Sequence, residues 1–235
     1  MKFHFSHFTF PLLQVLFPST CACCGEVLVR GERQICLNCL TSLTHTLYSG
    51  HDNNHTERLL TGRIPAFANA TSLLVFHHGN TVQKLIHAMK FHKNSELCLF
   101  MGRQLGLELL HSARFDDIDL LVPVPLHWRR RLQRGYNQSE LLCRGIAEVM
   151  NREVSTKALV RHRYTSQQSL TSAAEREQNV EGAFRVKHPE QLEGRHILLV
   201  DDVLTTGATL VSCCDALGQV KDIRISIATL SITGS

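Results

Sequence analysis

The sequence predicts an α/β protein, in which a mostly parallel sheet with flanking helices is preceded by a small four-cysteine ribbon. From Ala66 onward, short apolar runs alternate with helical patterns, and strands separated by helices are typical of parallel sheets with crossovers. Two Cys-x-x-Cys pairs lie near the start of the chain. In the last third, a strand, an acidic pair, a loop of small residues and a helix follow one another.

The composition is that of a folded protein. Of its 235 residues, 43% are hydrophobic and 20% are charged, which excludes a disordered or low-complexity chain. No window contains the roughly 18 uninterrupted apolar residues that a membrane-spanning helix needs. The formal net charge of +4 permits nucleic acid as a partner without indicating it.

A polar stretch over residues 49–63 predicts a domain boundary. We expect an N-terminal segment and ribbon over residues 1–62 and a second domain over residues 63–235. The apolar stretch over residues 8–17 is similar to a short export signal, but Pro11 interrupts it. We interpret it as an amphipathic segment that packs on the body of the protein.

Four cysteines have the spacing of one tetrahedral metal site, and they are Cys21, Cys24, Cys36 and Cys39. Two such knuckles predict a structural zinc ion, because four thiolates leave no open position for a substrate. Redox thiols or small buried side chains are the alternative, and the sequence leaves open whether Cys23 also ligates. Nine cysteines with this uneven distribution do not fit a disulfide framework, so we expect a reducing, cytoplasmic location.

The remaining elements follow from apolar periodicity. An Asn137-x-x-Glu140 pattern predicts a helix start, with the helix continuing through Met150. The other predicted helices cover Thr81–Lys90 and Glu96–Leu110, and the predicted strands cover Thr71–Phe76, Leu120–Val124, Ile197–Val200 and Ile223–Leu230.

The segment from Ile197 to Thr209 predicts a phosphate site. A loop of Thr, Gly and Ala lets backbone amides approach an anion, and the start of the following helix adds partial positive charge. The adjacent carboxylates of Asp201 and Asp202 would repel that anion, so we expect them to face sugar hydroxyls or a bound Mg²⁺. A ribose 5-phosphate satisfies both requirements.

These thirteen residues resemble the phosphoribosyl-pyrophosphate (PRPP) motif of type I phosphoribosyltransferases. Together with the cysteine knuckles and the segments at residues 85–91, 122–126, 134–138 and 168–184, they make essentially the whole chain similar to the ComF family. The resemblance implies a type I phosphoribosyltransferase fold after a zinc ribbon. It also implies a part in handling incoming single-stranded DNA during natural transformation, with that DNA and a competence helicase as candidate partners.

The resemblance implies roles for individual residues. Asp201 and Asp202 would hold the ribose hydroxyls as catalytic residues, with Mg²⁺ bound together with PRPP. The 5-phosphate would lie against Thr205, Thr206, Gly207, Ala208 and Thr209.

Two further segments are candidates for binding the pyrophosphate. Pro125, Leu126 and His127 follow a predicted strand, at the sheet edge where ligands bind in α/β proteins. The long polar stretch over residues 161–179 is typical of a lid that closes over the reacting centre. Its side chains Arg161, Arg163 and Arg176 would stabilise the negative charge of the departing pyrophosphate. The basic run of Arg129, Arg130, Arg131 and Arg134 would bind pyrophosphate or nucleic acid, or would simply be solvated.

The sequence therefore predicts a protein that transfers ribose 5-phosphate to an unidentified acceptor and releases pyrophosphate. The alternatives are a PRPP-binding module without turnover and a single-stranded-DNA-binding accessory protein. Acceptor and oligomeric state are not predicted.

Overall fold

A five-stranded parallel sheet forms the centre of the protein. The computed structural model describes residues 18–91, 94–162 and 182–234. The described strands are β1 (Phe67–Phe76), β2 (Leu120–Pro123), β3 (Glu153–Val154), β4 (Leu159–Arg161), β5 (Phe184–Val186), β6 (His196–Leu204) and β7 (Arg224–Thr233). The central sheet has the order β1-β7-β6-β2-β3 with all neighbours parallel, whereas β4 and β5 form a separate antiparallel pair. The predicted parallel α/β architecture is confirmed.

Helices cover both faces of the sheet. They are α1 (Leu37–Thr41), α2 (His55–Leu60), α3 (Thr81–Phe91), α4 (Ser95–Leu110), α5 (Trp128–Arg134), α6 (Gln138–Met150) and α7 (Ala208–Leu217). The buried side chains of α3, α4 and α6 form one apolar core, and those of α2, α7 and the β4-β5 pair form the other. The result is a three-layer arrangement. In the described ranges no helix is both long and apolar enough to cross a bilayer.

Helices α4 and α6 cross at very short distance because glycines lie at their contact. A Cβ atom added to Gly145 would lie 2.3 Å from the Leu99 carbonyl oxygen and 2.8 Å from the Gly102 Cα. A Cβ atom at Gly102 would lie 2.4 Å from the Leu142 carbonyl oxygen. Larger side chains at these positions would force the helix backbones apart.

The structure extends three predicted strands, β1, β6 and β7, and adds the unpredicted helices α1, α2 and α5. The apolar run that predicts a strand ends at Val200, but β6 continues through Leu204 because its pairing with β7 continues there. The acidic pair therefore lies within the strand. The basic run, for which the sequence left binding and simple solvation open, lies in helix α5, which His127 precedes and Gly135, with φ +86°, follows.

The cysteine-rich part packs against the main body. Cys21, Ile35 and Leu43 are buried in the same apolar core as α3 and α4. The Val75 N–H donates to the Thr44 carbonyl at 2.8 Å, so the segment after the ribbon lies along β1. The domain boundary at residue 62 stays a prediction, and the segment over residues 1–17 lies outside the described residues.

Candidate functional site

The acidic pair lies near the C-terminal end of β6, at the centre of the sheet. One carboxylate oxygen of Asp201 accepts hydrogen bonds from the Ser139 hydroxyl and from the Asp202 N–H, both at 2.9 Å. Oδ2 of Asp202 lies 3.0 Å from Nζ of Lys90. The start of α6 and the end of α3 therefore position the two carboxylates.

Burial and the Asp202 carboxylate raise the pKa of Asp201 to about 7. The hydrogen bonds from the Asp202 amide and from Ser139, together with the Lys90 charge, act in the opposite direction. The carboxyl of Asp201 is therefore a much weaker acid than an ordinary aspartate.

The predicted phosphate loop follows directly after β6. Thr205 is exposed and Thr206 is half-buried. Gly207 has φ +79°, and helix α7 begins at the next residue. This left-handed conformation favours glycine and turns the chain from strand into helix. The loop thus leads into the N-terminal end of a helix, a common place for an anion.

Arg63, which lies outside the motif, forms a hydrogen bond to this loop. Its Nη1 donates to the Thr206 carbonyl at 2.8 Å and to the Leu59 carbonyl at 3.1 Å. A Cβ atom at Gly207 would lie 3.0 Å from the Leu60 side chain. The segment that ends α2 therefore packs directly against the phosphate loop.

The second predicted loop begins where the neighbouring strand β2 ends. The Val124 N–H donates to the Val200 carbonyl at 2.9 Å, and the Asn137 side-chain amide donates to the Val124 carbonyl at 2.9 Å. Pro125 and Leu126 are half-buried, and His127 is buried. These bonds hold the loop beside the strand that carries the acidic pair.

The side chain of His127 caps helix α5, since its Nδ1 accepts a hydrogen bond of 3.3 Å from the Arg129 N–H. Burial and the charges of Arg161, Arg129 and Arg130 lower the pKa of His127. The imidazole is therefore kept neutral among positive charges.

Helix α5 presents aromatic and basic side chains together. Trp128 is 59% exposed and Leu132 is 74% exposed. The guanidinium carbon of Arg129 lies 5.3 Å from the centroid of the Trp128 ring, and that of Arg134 lies 5.9 Å from the Phe91 ring. Arg131 contacts Glu140 at 3.6 Å. We call Phe91, Trp128, Leu132, Arg129, Arg131 and Arg134 the α5 patch.

Part of the predicted lid lies within the described residues. Arg161 ends β4, and its guanidinium carbon lies 5.3 Å from the centroid of the Phe184 ring. It lies close enough for its charge to interact with Asp201. Arg163 and Arg176 lie outside the described residues.

The four predicted metal-ligating cysteines come together. The Sγ atoms of Cys21, Cys24, Cys36 and Cys39 all lie within 4.8 Å of one another. The amides of Cys36 and Cys23 contact the Cys21 sulfur at 3.3 and 3.4 Å. Burial would raise the pKa of Cys21, but these backbone N–H groups and that of Cys24 outweigh it and lower the value to about 6. A four-thiolate cluster of this kind could hold a structural metal such as zinc.

Cys23 is not part of the cluster. Burial raises its pKa to about 12, followed by the charge of the Cys21 thiolate. Its side chain packs against the apolar core instead. The structure therefore favours the ordinary-thiol interpretation of this residue.

Comparison with known proteins links this geometry to a family. Residues 138–232 match the model of the phosphoribosyl transferase domain. The chain is 40% identical over 136 residues to "DNA utilization protein YhgH" of Escherichia coli (strain K12), covering 57% of this chain and 59% of that protein. The match thus spans about three fifths of that relative's length. The protein of the same name from Salmonella typhi is 32% identical over 200 residues, covering 84% of this chain and 83% of the relative.

"Competence protein F" of Haemophilus influenzae is 26% identical over 202 residues, covering 83% of this chain and 88% of the relative. The chain belongs to the ComF family. Among solved structures, the glutamine PRPP amidotransferase of B. subtilis in complex with ADP and GMP overlays with a TM-score of 0.36 and 19% identity, covering 60% of this chain and 26% of that one. The domain match over residues 138–232, the parallel sheet and the four-cysteine cluster confirm the predicted phosphoribosyltransferase fold and cysteine ribbon of this ComF protein.

Sequence reasoning missed three residues that contact the site of this ComF protein. Lys90, Ser139 and Arg63 lie outside the strand–loop–helix motif, and each is brought to it by a different helix or loop. Lys90 could have been found from the sequence, because it lies in the segment at residues 85–91 that resembles the family. No local pattern marked Ser139 or Arg63. The Tyr136 hydroxyl donates to the Met89 carbonyl at 2.7 Å, and its side chain packs against the apolar core.

Proposed function

We propose that this ComF protein binds PRPP at the end of β6 and transfers its ribose 5-phosphate to an acceptor. The observation that carries the proposal is the juxtaposition of Asp201 and Asp202 with the loop that begins α7. Carboxylates accept hydrogen bonds from sugar hydroxyls, and the helix start binds the 5-phosphate. A single pentose with a terminal phosphate would contact both the two carboxylates and the start of the helix.

In the proposed reaction, the acceptor's lone pair forms a bond to the anomeric carbon. The bond from that carbon to the pyrophosphate oxygen breaks, and the pyrophosphate leaves with the electron pair. The acceptor loses a proton to solvent. Asp201 and Asp202 hold the ribose hydroxyls, while Thr205, Thr206, Gly207, Ala208 and Thr209 hold the 5-phosphate.

The charge of the leaving group needs compensation. We assign this to the loop at Pro125, Leu126 and His127 and to the arginines beside it, above all Arg161. Oxygen donors suit Mg²⁺, so Asp201 and Asp202 would hold that ion together with the ligand's phosphate oxygens. When bound, Mg²⁺ would neutralise charge on the pyrophosphate.

Calorimetry with PRPP and Mg²⁺ tests binding. We expect heat of binding for the wild type and none for the Asp201→Asn, Asp202→Asn double variant. Asp215→Asn makes the same change on the exposed face of α7 and should bind normally. Pyrophosphate release with a mixed set of nucleobases then tests turnover, and binding without release would favour a module that does not catalyse.

The second candidate is single-stranded DNA binding, which the α5 patch favours. Exposed aromatic rings beside arginines suit stacked bases and phosphates, and relatives are named for DNA utilization and competence. In that function, replacing Arg129, Arg131 and Arg134 of the α5 patch by neutral residues should abolish DNA binding, while the Asp201 and Asp202 double variant should retain it. The affinity should fall steeply with salt.

Trp128→Ala tests the aromatic part of the patch. Stacking on one base is worth about 1–3 kcal/mol, so the DNA affinity should fall by roughly tenfold. Leu110→Ala removes a comparably exposed apolar side chain from α4 and should leave it unchanged. An affinity that is insensitive to salt, to the arginine substitutions and to Trp128→Ala would contradict this candidate.

The metal in the four-cysteine cluster is zinc in this proposal, because tetrahedral thiolate sites prefer it. Nine free thiols suit a reducing compartment, which supports the cytoplasmic location. An elemental analysis of the purified protein tests the metal.

A further inference from the structure

Lys90 makes a direct ion pair with the acidic pair from outside the motif. Its Nζ lies 3.0 Å from Oδ2 of Asp202, and the two side chains are only 22% and 15% exposed. An ion pair that is largely shielded from water is stronger than one on the open surface. The contact therefore belongs to the site rather than to the solvated surface.

Helix α3 fixes the position of Lys90. Leu85 and Ala88 of this helix are fully buried, and the Met89 carbonyl accepts hydrogen bonds from the Tyr136 hydroxyl at 2.7 Å and the Gln138 amide at 3.2 Å. Lys90 follows directly at the C-terminal end, where a cation also interacts favourably with the helix dipole. Its ammonium group is thus held by a rigid element.

The negative charge of the acidic pair needs a nearby cation such as Lys90. Two adjacent carboxylates repel each other, and both would repel a phosphorylated sugar. Charged and titratable groups approach the pair from every neighbouring element, and they are Lys90 (α3), Cys98 (α4), Arg134 (α5), Cys143 (α6), Arg161 (β4) and Cys213 (α7). Among the described residues, Lys90 is the cation that forms an ion pair with it.

We propose that Lys90 is the built-in counter-ion of the acidic pair, which holds the Asp202 carboxylate in place and offsets the negative charge that would repel a phosphorylated sugar. This inference rests on the proposed function. Lys90 is then a positioning residue that acts through Asp202, so its effect on ligand affinity must disappear when Asp202 no longer carries a charge.

A double-mutant cycle tests this coupling. Binding of ribose 5-phosphate and of PRPP with Mg²⁺ is measured for the wild type, Lys90→Met, Asp202→Asn and the double variant. Lys90→Met removes one partner of a shielded ion pair, so it should lower the affinity for both ligands about tenfold. In the Asp202→Asn background the same change should cost less than about threefold, because the effect runs through the missing charge.

Two further variants separate charge from structure. Lys90→Arg keeps the cation and should restore most of the affinity. Lys84→Met removes a lysine from the exposed face of the same helix and should bind as the wild type does. Additive effects in the cycle, a loss confined to PRPP, or failure of Lys90→Arg to restore binding would overturn the inference. Absence of binding by the wild type would instead overturn the proposed function itself.

Discussion

Arg63 donates a hydrogen bond of 2.8 Å to the carbonyl oxygen of Thr206, so a side chain from the end of the polar linker stabilises the loop assigned to the 5-phosphate. The same guanidinium nitrogen bonds the Leu59 carbonyl. Because one cation joins α2 to this loop, the loop conformation depends on residues that precede the first strand of the sheet.

Replacing Arg63 by methionine should weaken ribose 5-phosphate binding. Hydrogen bonds to a charged group are worth about 1.5–3 kcal/mol, so we expect roughly tenfold lower affinity by calorimetry. Arg58→Met removes an exposed arginine from the preceding helix α2 and serves as the control. Equal effects of the two substitutions would contradict a specific role for Arg63.

PRPP binding should depend on pH through Asp201. The carboxyl, whose pKa is raised to about 7, loses its negative charge and part of its capacity to accept hydrogen bonds when it is protonated. Affinity should therefore decline as pH falls from 8 to 6, approaching tenfold per unit below the pKa. Ser139→Ala removes a hydrogen bond that lowers this pKa, so the decline should begin at higher pH.

Asp201→Asn provides the control for that profile, since any pH dependence of the affinity that remains in it belongs to the ligand or to other groups.

In the ligand-free protein, the free energy of unfolding should depend on pH in the opposite direction to the ligand affinity. A carboxyl whose pKa is raised on folding binds more protons in the folded state. The free energy of unfolding therefore decreases as pH rises from about 4 to 7. A stability that rises over this window in the wild type but not in Asp201→Asn would refute the assignment.

Removing one cluster cysteine should release the metal. Cys24→Ser leaves three thiolates, and we expect the bound metal to fall well below one ion per chain, with a lower melting temperature. Cys23→Ser changes the adjacent thiol, which lies outside the cluster, and should retain the metal. Elemental analysis of both proteins gives the comparison, and retention of metal by Cys24→Ser would show that the cluster is not the site.

Gly145→Ala should destabilise the protein, because the new methyl group would meet the backbone of α4 at 2.3 and 2.8 Å. Overpacking of this kind costs about 1–3 kcal/mol in the free energy of unfolding. Gly50→Ala, where no atom lies within 4 Å of the added Cβ, should change it by less than about 0.5 kcal/mol. Chemical denaturation of both variants measures the difference, and equal stabilities would contradict the close crossing.

Much of the fold could be predicted from the sequence because burial is periodic. The apolar runs at residues 120–124 and 197–200 are buried strands, and Asn137 caps α6 as its pattern indicates. The end of β6 could not be predicted, since pairing with β7 is a property of two distant segments. Helix α5 was missed because its arginines have no apolar stripe to mark it.

The candidate site divides in the same way. The acidic pair, the loop that begins α7 and the cysteine cluster are local patterns, so the sequence predicts their residues. Lys90, Ser139 and Arg63 reach the site only through tertiary packing. Each is an ordinary polar residue in its own segment, and only the folded chain brings it next to the motif.

The contact of Leu60 with Gly207 has a practical consequence for dissecting the protein. Leu60 is fully buried. A fragment that starts at residue 63 would therefore expose the apolar surface that Leu60 covers next to the phosphate loop. Recombinant pieces intended to isolate the sugar-binding half should therefore begin ahead of α2, where the chain still covers that surface.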